Sequence, residues 1–207
     1  MKKSLDHLGD EELLRQMSAG DSLAFAELYR RWQSSVYRFA LRMSGAEALA
    51  EDVTQDVFLT LMRDGGQYEG RGTFSSYVFT ITRHSVLRRL QRERRFISFE
   101  QKTDVEADNE LPFEEAILDE DPLAQLARNE MIEAVRQAVQ ALPLHYREVV
   151  LLCHLHELSY AEAAEIIGCE IGTVCSRLYR ARALLGKRLA ALKSEPAPQL
   201  NLARCSI

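Results

Sequence analysis

Asp52 and Asp56 stand four residues apart, a spacing that puts two carboxylates on one helix face, where they could hold a metal or act as an acid–base pair. No third ligand and no nucleophile accompanies them, so no catalysis is expected. Cys153, His154, His156, Cys169 and Cys175 carry thiols and imidazoles, the donors zinc takes. They contain no CxxC pair, and inert cysteines with no metal or cofactor are the expected reading. A thiol switch at Cys169 or Cys175, close to a helix start and to Arg177, is the alternative. Cationic chemistry is the clearest signal. Arg71 to Arg95 holds seven arginines and one acid, and Ser176 to Lys193 holds six basic residues and no acid. Such segments are the footprint that phosphate binding needs. His84, Arg88, Arg92 and Arg95 fall at i, i+4, i+8 and i+11 and share one stripe of a helix.

The elements that position these groups read as helices. The chain has 207 residues, 46% apolar and 28% charged, with ten Gly and five Pro, a composition suited to two small folded helical units and short of turn residues for a sheet sandwich. Its net charge of −5 conceals a pattern: residues 1–100 hold 15 basic and 14 acidic side chains, 101–130 hold 2 and 10, and 131–207 hold 9 and 7. The acidity is therefore a connector between two basic units. Leu13, Leu14 and Met17 predict a short first helix. Phe25, Leu28, Tyr29, Trp32, Val36, Phe39, Ala40 and Met43 predict a second with one buried face. A third is expected from Ala46 to Met62, burying Ala50, Val53, Val57 and Leu61 and leaving Asp52, Gln55, Asp56, Phe58 and Leu59 on its other side. A fourth follows from Phe74 to Arg95, after a loop at Asp64-Gly65-Gly66.

Periodicity stops between Glu100 and about Asp121 and returns at Leu123 to Leu142. His145 to His156, Tyr160 to Ile167 and Gly172 to Leu192 complete the second unit. Ser159 and Glu162 have the spacing of a capping box, and the turn Gly168-Cys169-Glu170 before a long basic helix outlines a helix-turn-helix. The expected fold is all-α: a unit at 1–98, an acidic linker at 99–125, a helix-turn-helix unit at 126–193 and an unstructured tail at 194–207. No apolar run is long enough for a membrane span, and Met1 to Gly20 lacks a signal-peptide core, so no membrane insertion and a cytoplasmic location are expected.

Two separated stretches carry a family resemblance. Ala50-Glu-Asp-Val-Thr-Gln-Asp-Val-Phe58 with Phe74-Ser-Ser-Tyr-Val-Phe-Thr-Ile-Thr-Arg-His84 resembles region 2 of bacterial sigma factors of the extracytoplasmic-function (ECF) group. Leu142-Pro143, Leu158-Ser-Tyr-Ala-Glu-Ala-Ala-Glu-Ile-Ile-Gly168 and Gly172-Thr-Val-Cys-Ser-Arg-Leu-Tyr-Arg-Ala-Arg182 resemble region 4. The resemblance implies a non-enzymatic subunit that binds core RNA polymerase, directs it to promoter DNA with −10 and −35 elements, and is held by an anti-sigma factor. It assigns polymerase contact to Asp52, Gln55, Asp56, Phe58 and Leu59. It assigns the −10 element to Phe74, as a pocket wall for an unstacked base, and to Arg83, His84, Arg88, Arg92 and Arg95. It assigns the −35 element to Thr173, Cys175, Ser176, Arg177, Tyr179, Arg180 and Arg182. His84 stands where the family usually has Asn, and Cys175 where Lys or Arg is common, which sets this chain's promoter preference apart. From the residues alone, a helix-turn-helix regulator acting without polymerase and a basic module for an acidic partner remain open.

Overall fold

The computed structural model describes residues 5–68, 72–97 and 122–194, all helices and connecting turns. Helix α1 (Asp10–Ser18) opens with Asp10, Glu11 and Glu12, acids that suit the positive end of a helix, and buries Leu13, Leu14 and Met17. Helix α2 (Ser22–Ser44) is capped by Asp21, whose carboxylate accepts from the Leu23 and Ala24 amides at 2.8 and 3.4 Å. It ends at Gly45, which supplies the left-handed φ of 81°. Helix α3 (Glu47–Asp64) buries the expected Ala50, Val53, Val57 and Leu61, and Leu49, Thr54 and Phe58 besides. Gly65 follows, and a Cβ there would lie 2.8 Å from Leu14 Cδ1, so a larger residue would push the Leu14 and Met17 side chains of α1 aside. Helix α4 (Phe74–Ile97) starts under Thr73, whose hydroxyl accepts from the Ser76 amide at 3.2 Å.

Aromatic and charged side chains bind these four helices into one unit. Trp32 meets Phe74 edge-on with centroids 5.4 Å apart, and Phe39 meets Phe79 at 5.5 Å. Trp32 Nε1 donates to Asp10 at 2.9 Å, and Arg31 donates to Asp10 at 2.9 Å, to Glu27 at 2.6 Å and to the Leu8 carbonyl at 2.8 Å. The guanidiniums of Arg30 and Arg31 hold the Glu27 carboxyl at about 2.

Helix α5 (Pro122–Gln140) begins with proline at its first position, inside the stretch assigned to the linker. Helix α6 (Leu144–Val150) does not run as a regular helix to His156: Leu151–Leu155 widens into a π turn in which the His156 amide donates to the Leu151 carbonyl at 3.0 Å. Helix α7 (Tyr160–Ile167) carries the predicted capping box, with both reciprocal bonds between Ser159 and Glu162 present, and ends at Gly168 with φ 74°. Helix α8 (Ile171–Ser194) packs its Val174–Leu178–Ala181 stripe on α6 and α7. The acidic stretch 98–121 and the tail beyond Ser194 lie outside the described residues.

The two units pack on each other, which the linker reading did not anticipate. Arg147 donates to the Met43 carbonyl at 2.6 Å, an acceptor left over at the end of α2, and Gln140 donates at 3.2 Å to the Leu41 carbonyl, which also accepts from the Gly45 amide. On the other side, α4 lies against α7.

Candidate nucleic-acid interface

Asp52 and Asp56 are already paired. Arg89, one residue beyond Arg88 and so turned to the side of the predicted stripe, donates to Asp52 and to Asp56 at 2.6 Å each, and Arg88 lies 3.9 Å from Asp56. This α3–α4 clamp pairs both acids with one guanidinium, and Arg89 is a residue the stripe analysis missed. Gln55 is exposed and Leu59 is 55% exposed, as expected of a contact face. Phe58 corrects that expectation: it is only 4% exposed, its ring 4.6 Å from Tyr29 and 6.3 Å, edge-on, from Phe25. The buried arc of α3 is wider than its four-residue stripe, because Thr54, Phe58 and Leu61 extend it by one more row.

Beside Leu59 the surface is concave. Phe25, Tyr29, Tyr37, Phe58, Leu59 and Met62 line most of a groove of about 670 Å³ between α2 and α3. Tyr29 was assigned to the core, yet it stays 39% exposed along this groove. Phe25, Tyr29, Gln33 and Tyr37 recur every four residues, a second stripe on α2 hidden behind the stronger core stripe.

On α4, His84, Arg88 and Arg92 are exposed along one face, and Arg95 continues the helix with its side chain outside the described ones. Phe74 corrects the pocket expectation: it is buried edge-on against Trp32, and a base has no access to its ring. Arg83 is half-buried. Its Nε donates to Glu148 Oε2 at 2.9 Å, across the contact between the units.

On α8, Cys175, Ser176, Tyr179, Arg180 and Arg182 are exposed opposite the Val174–Leu178–Ala181 stripe, and Tyr179 reaches 78% exposure. Thr173 is half-buried in the first turn, where its carbonyl accepts from Ser176 Oγ at 3.0 Å. Arg182 Nη2 lies 3.2 Å from His154 Nε2; burial and this cation lower the His154 pKa, so its nitrogen accepts. Arg177 corrects its assignment. It sits at the edge of the buried stripe and turns inward to Glu148 Oε1 at 3.1 Å, away from the exposed face. Cys153 and Cys169 are half-buried, and burial raises the Cys153 thiol pKa.

Glu148 is thus the residue that sequence reasoning overlooked. It is 3% exposed and accepts from Arg83 of one unit and Arg177 of its own. Its only trace in the sequence is that it is the one acid of α6, directly before the apolar run Val149 to Leu152. The contact continues through the Thr73 hydroxyl, which donates to Glu162 Oε1 at 3.0 Å, and through the Glu165 carboxylate, which lies over Gly72. His156 rests against Phe79 at 4.4 Å and Phe39 at 5.8 Å, its Nε2 without a partner; burial, and secondarily Arg38, push its pKa down to about 4.

Known proteins share this arrangement. The Sigma-70 region 2 family matches residues 28–96, and the Sigma-70 region 4 family matches residues 132–185. The chain is 30% identical over 190 residues to the RNA polymerase sigma-H factor of Pseudomonas aeruginosa, covering 90% of this chain and 96% of that one. It is 34% identical over 186 residues to the ECF RNA polymerase sigma factor SigE of Mycolicibacterium smegmatis, covering 87% and 68%. Its fold is similar to that of the sigma factor RpoE from Bartonella quintana, solved in complex with the anti-sigma factor NepR, with a TM-score of 0.67 at 25% identity over 80% of this chain and 96% of that one.

Proposed function

The chain belongs to the ECF group of RNA polymerase sigma factors, initiation factors that direct the enzyme to promoters, and from that premise we propose how its surfaces divide the work. The α2–α3 groove with Gln55, Leu59, Tyr29 and Met62 docks on core polymerase, with the Arg89-paired Asp52 and Asp56 at its margin. The exposed His84–Arg88–Arg92 face of α4, continuing toward Arg95, holds the opened strand of the −10 element. The exposed α8 face enters the major groove at −35, with Cys175, Ser176, Tyr179, Arg180 and Arg182 toward bases or backbone. In this reading residues 1–98 and 126–193 are the working units and 99–125 joins them.

One observation carries the reading. Two cationic helix faces, on units that match region 2 and region 4 in that order, point away from their cores in a single chain. A regulator acting without polymerase needs only the second face and leaves the α2–α3 groove without use. Among the described residues no helix is long and apolar enough to cross a membrane. The site of action is the cytoplasm, where polymerase and promoter DNA are, and by analogy with the Bartonella relative an anti-sigma factor is a third partner. Promoter-specific run-off transcription by reconstituted core polymerase tests the function. Transcripts that start at a discrete site only when the chain is added are expected, and co-purification without such initiation would overturn it.

A further inference from the structure

An exposed arginine carries its guanidinium on a long flexible stem, and ordering that stem on DNA costs entropy. Arg182 stands next to buried Ala181 at the margin of the α8 core, about three turns into the helix and in one lane with Cys175, about two turns earlier. The first turns of a groove-entering helix meet base edges, and a cation this far along meets the phosphates that flank the groove. Its direction is set from outside α8. His154, in the π turn Leu151–Leu155, presents Nε2 at 3.2 Å from Arg182 Nη2. A guanidinium only donates, so the imidazole accepts through Nε2 and carries its own proton on Nδ1. Partial burial, and then Arg182, keep the ring below its ordinary pKa and so favour this neutral form.

We propose that His154 is a positioning residue for −35 recognition: it holds the Arg182 guanidinium ready for a backbone phosphate, which makes the π turn of α6 a working part of the DNA-binding surface. This rests on the promoter reading above. Arg182 gives one N–H to His154 and keeps the rest of its fork for phosphate oxygens. Held in this way, it has less freedom left to lose when DNA arrives. The backbone that presents His154 is irregular. It is a π turn, a form frequent at functional sites, and it is followed at Glu157 by a φ of 54°, the one left-handed value at a non-glycine residue among the described residues. Little of this serves the core through His154, which stays on the exposed surface.

The test uses polymerase holoenzyme reconstituted with the full chain and reads its affinity, over a range of salt concentrations, for a promoter fragment that gives a discrete run-off start. His154→Phe keeps a ring without the acceptor, and His154→Ala removes both. Each is expected to weaken binding about threefold to tenfold, equally for fragments changed at single −35 base pairs. The slope of affinity against salt should stay as in wild type, because the charge of Arg182 is still present. His154→Gln, which restores an acceptor at similar reach, is expected to bind like wild type. Arg182→Ala is expected to weaken binding and to reduce the log–log salt slope by about one, and adding His154→Phe to it should change nothing more. A loss that persists in the Arg182→Ala background overturns the proposal, since His154 would then act on DNA by itself. Wild-type affinity in both His154→Phe and His154→Ala, or a His154→Gln variant of wild-type helicity that binds as weakly as they do, overturns it as well. Run-off transcription by the wild-type holoenzyme tests the promoter reading separately, since a discrete start does not depend on the His154 variants.

Discussion

Neighbouring residues on α3 separate packing from contact. Phe58 fills the space beneath Tyr29 and Phe25, so Phe58→Ala is expected to cost about 3 kcal/mol of stability by leaving a cavity, read as a lower denaturant midpoint. Leu59→Ala, on the exposed side, is expected to leave that midpoint within about 0.5 kcal/mol and to weaken association with core polymerase. Equal destabilisation by both would mean that Leu59 is also packed. The sequence spacing alone put these two side chains together, because a stripe at three- and four-residue steps marks the centre of a buried arc and says little about its edges. Arg177 lies at the margin of the α8 core for the same reason, whereas Tyr179 and Arg180 stand clear of that core and are exposed. Cys175 is exposed beside them without charge. Cys175→Arg is expected to tighten binding to −35 duplexes, by about 1–3 kcal/mol at one base position if it reads a base edge. No change in affinity or in base preference, in a folded variant, would place residue 175 outside the groove.

Helix by helix, local signals decided where the chain turns. Ser159 with Glu162, and Gly168, mark ends that the structure reproduces, because each signal is a bond or a backbone angle made within a few residues. Ser159→Ala should therefore cost about 1 kcal/mol, measured by chemical denaturation, and the loss should shrink when Glu162 is already Ala, since the two side chains act on each other. Full additivity of the two changes would show the box to be dispensable. The π turn at Leu151–Leu155 left no such trace. An apolar run from Val149 to Leu152 satisfies a regular helix equally well, and the wider turn ends in Glu157 at φ 54°, a left-handed position that glycine would ordinarily take.

At the scale of the molecule, the contact between units was invisible in the sequence because its partners are distant: Arg83 and Glu148 are 65 positions apart, and Thr73 and Glu162 are 89. Nothing in local periodicity pairs them. Composition did report two units and an acidic connector, which is why family order could be read while their packing could not. His156 gives this contact a pH signature. It is held neutral between Phe79 and Phe39 with a pKa of about 4, against 6.5 when exposed, so the unfolded chain takes up a proton first as pH falls. Stability is unaffected above 6.5 and is lost as pH drops from there to about 4, by on the order of 3 kcal/mol. The difference between wild type and His156→Phe isolates this from titrating carboxylates; parallel pH curves for the two would show that the imidazole is not buried. The shared carboxylate of Glu148 has a last consequence, for cooperativity: since it accepts from Arg83 of the first unit and Arg177 of the second, Glu148→Gln should split one unfolding transition of the chain into two, read by calorimetry, and a single transition in that variant would show that the units do not unfold together through it.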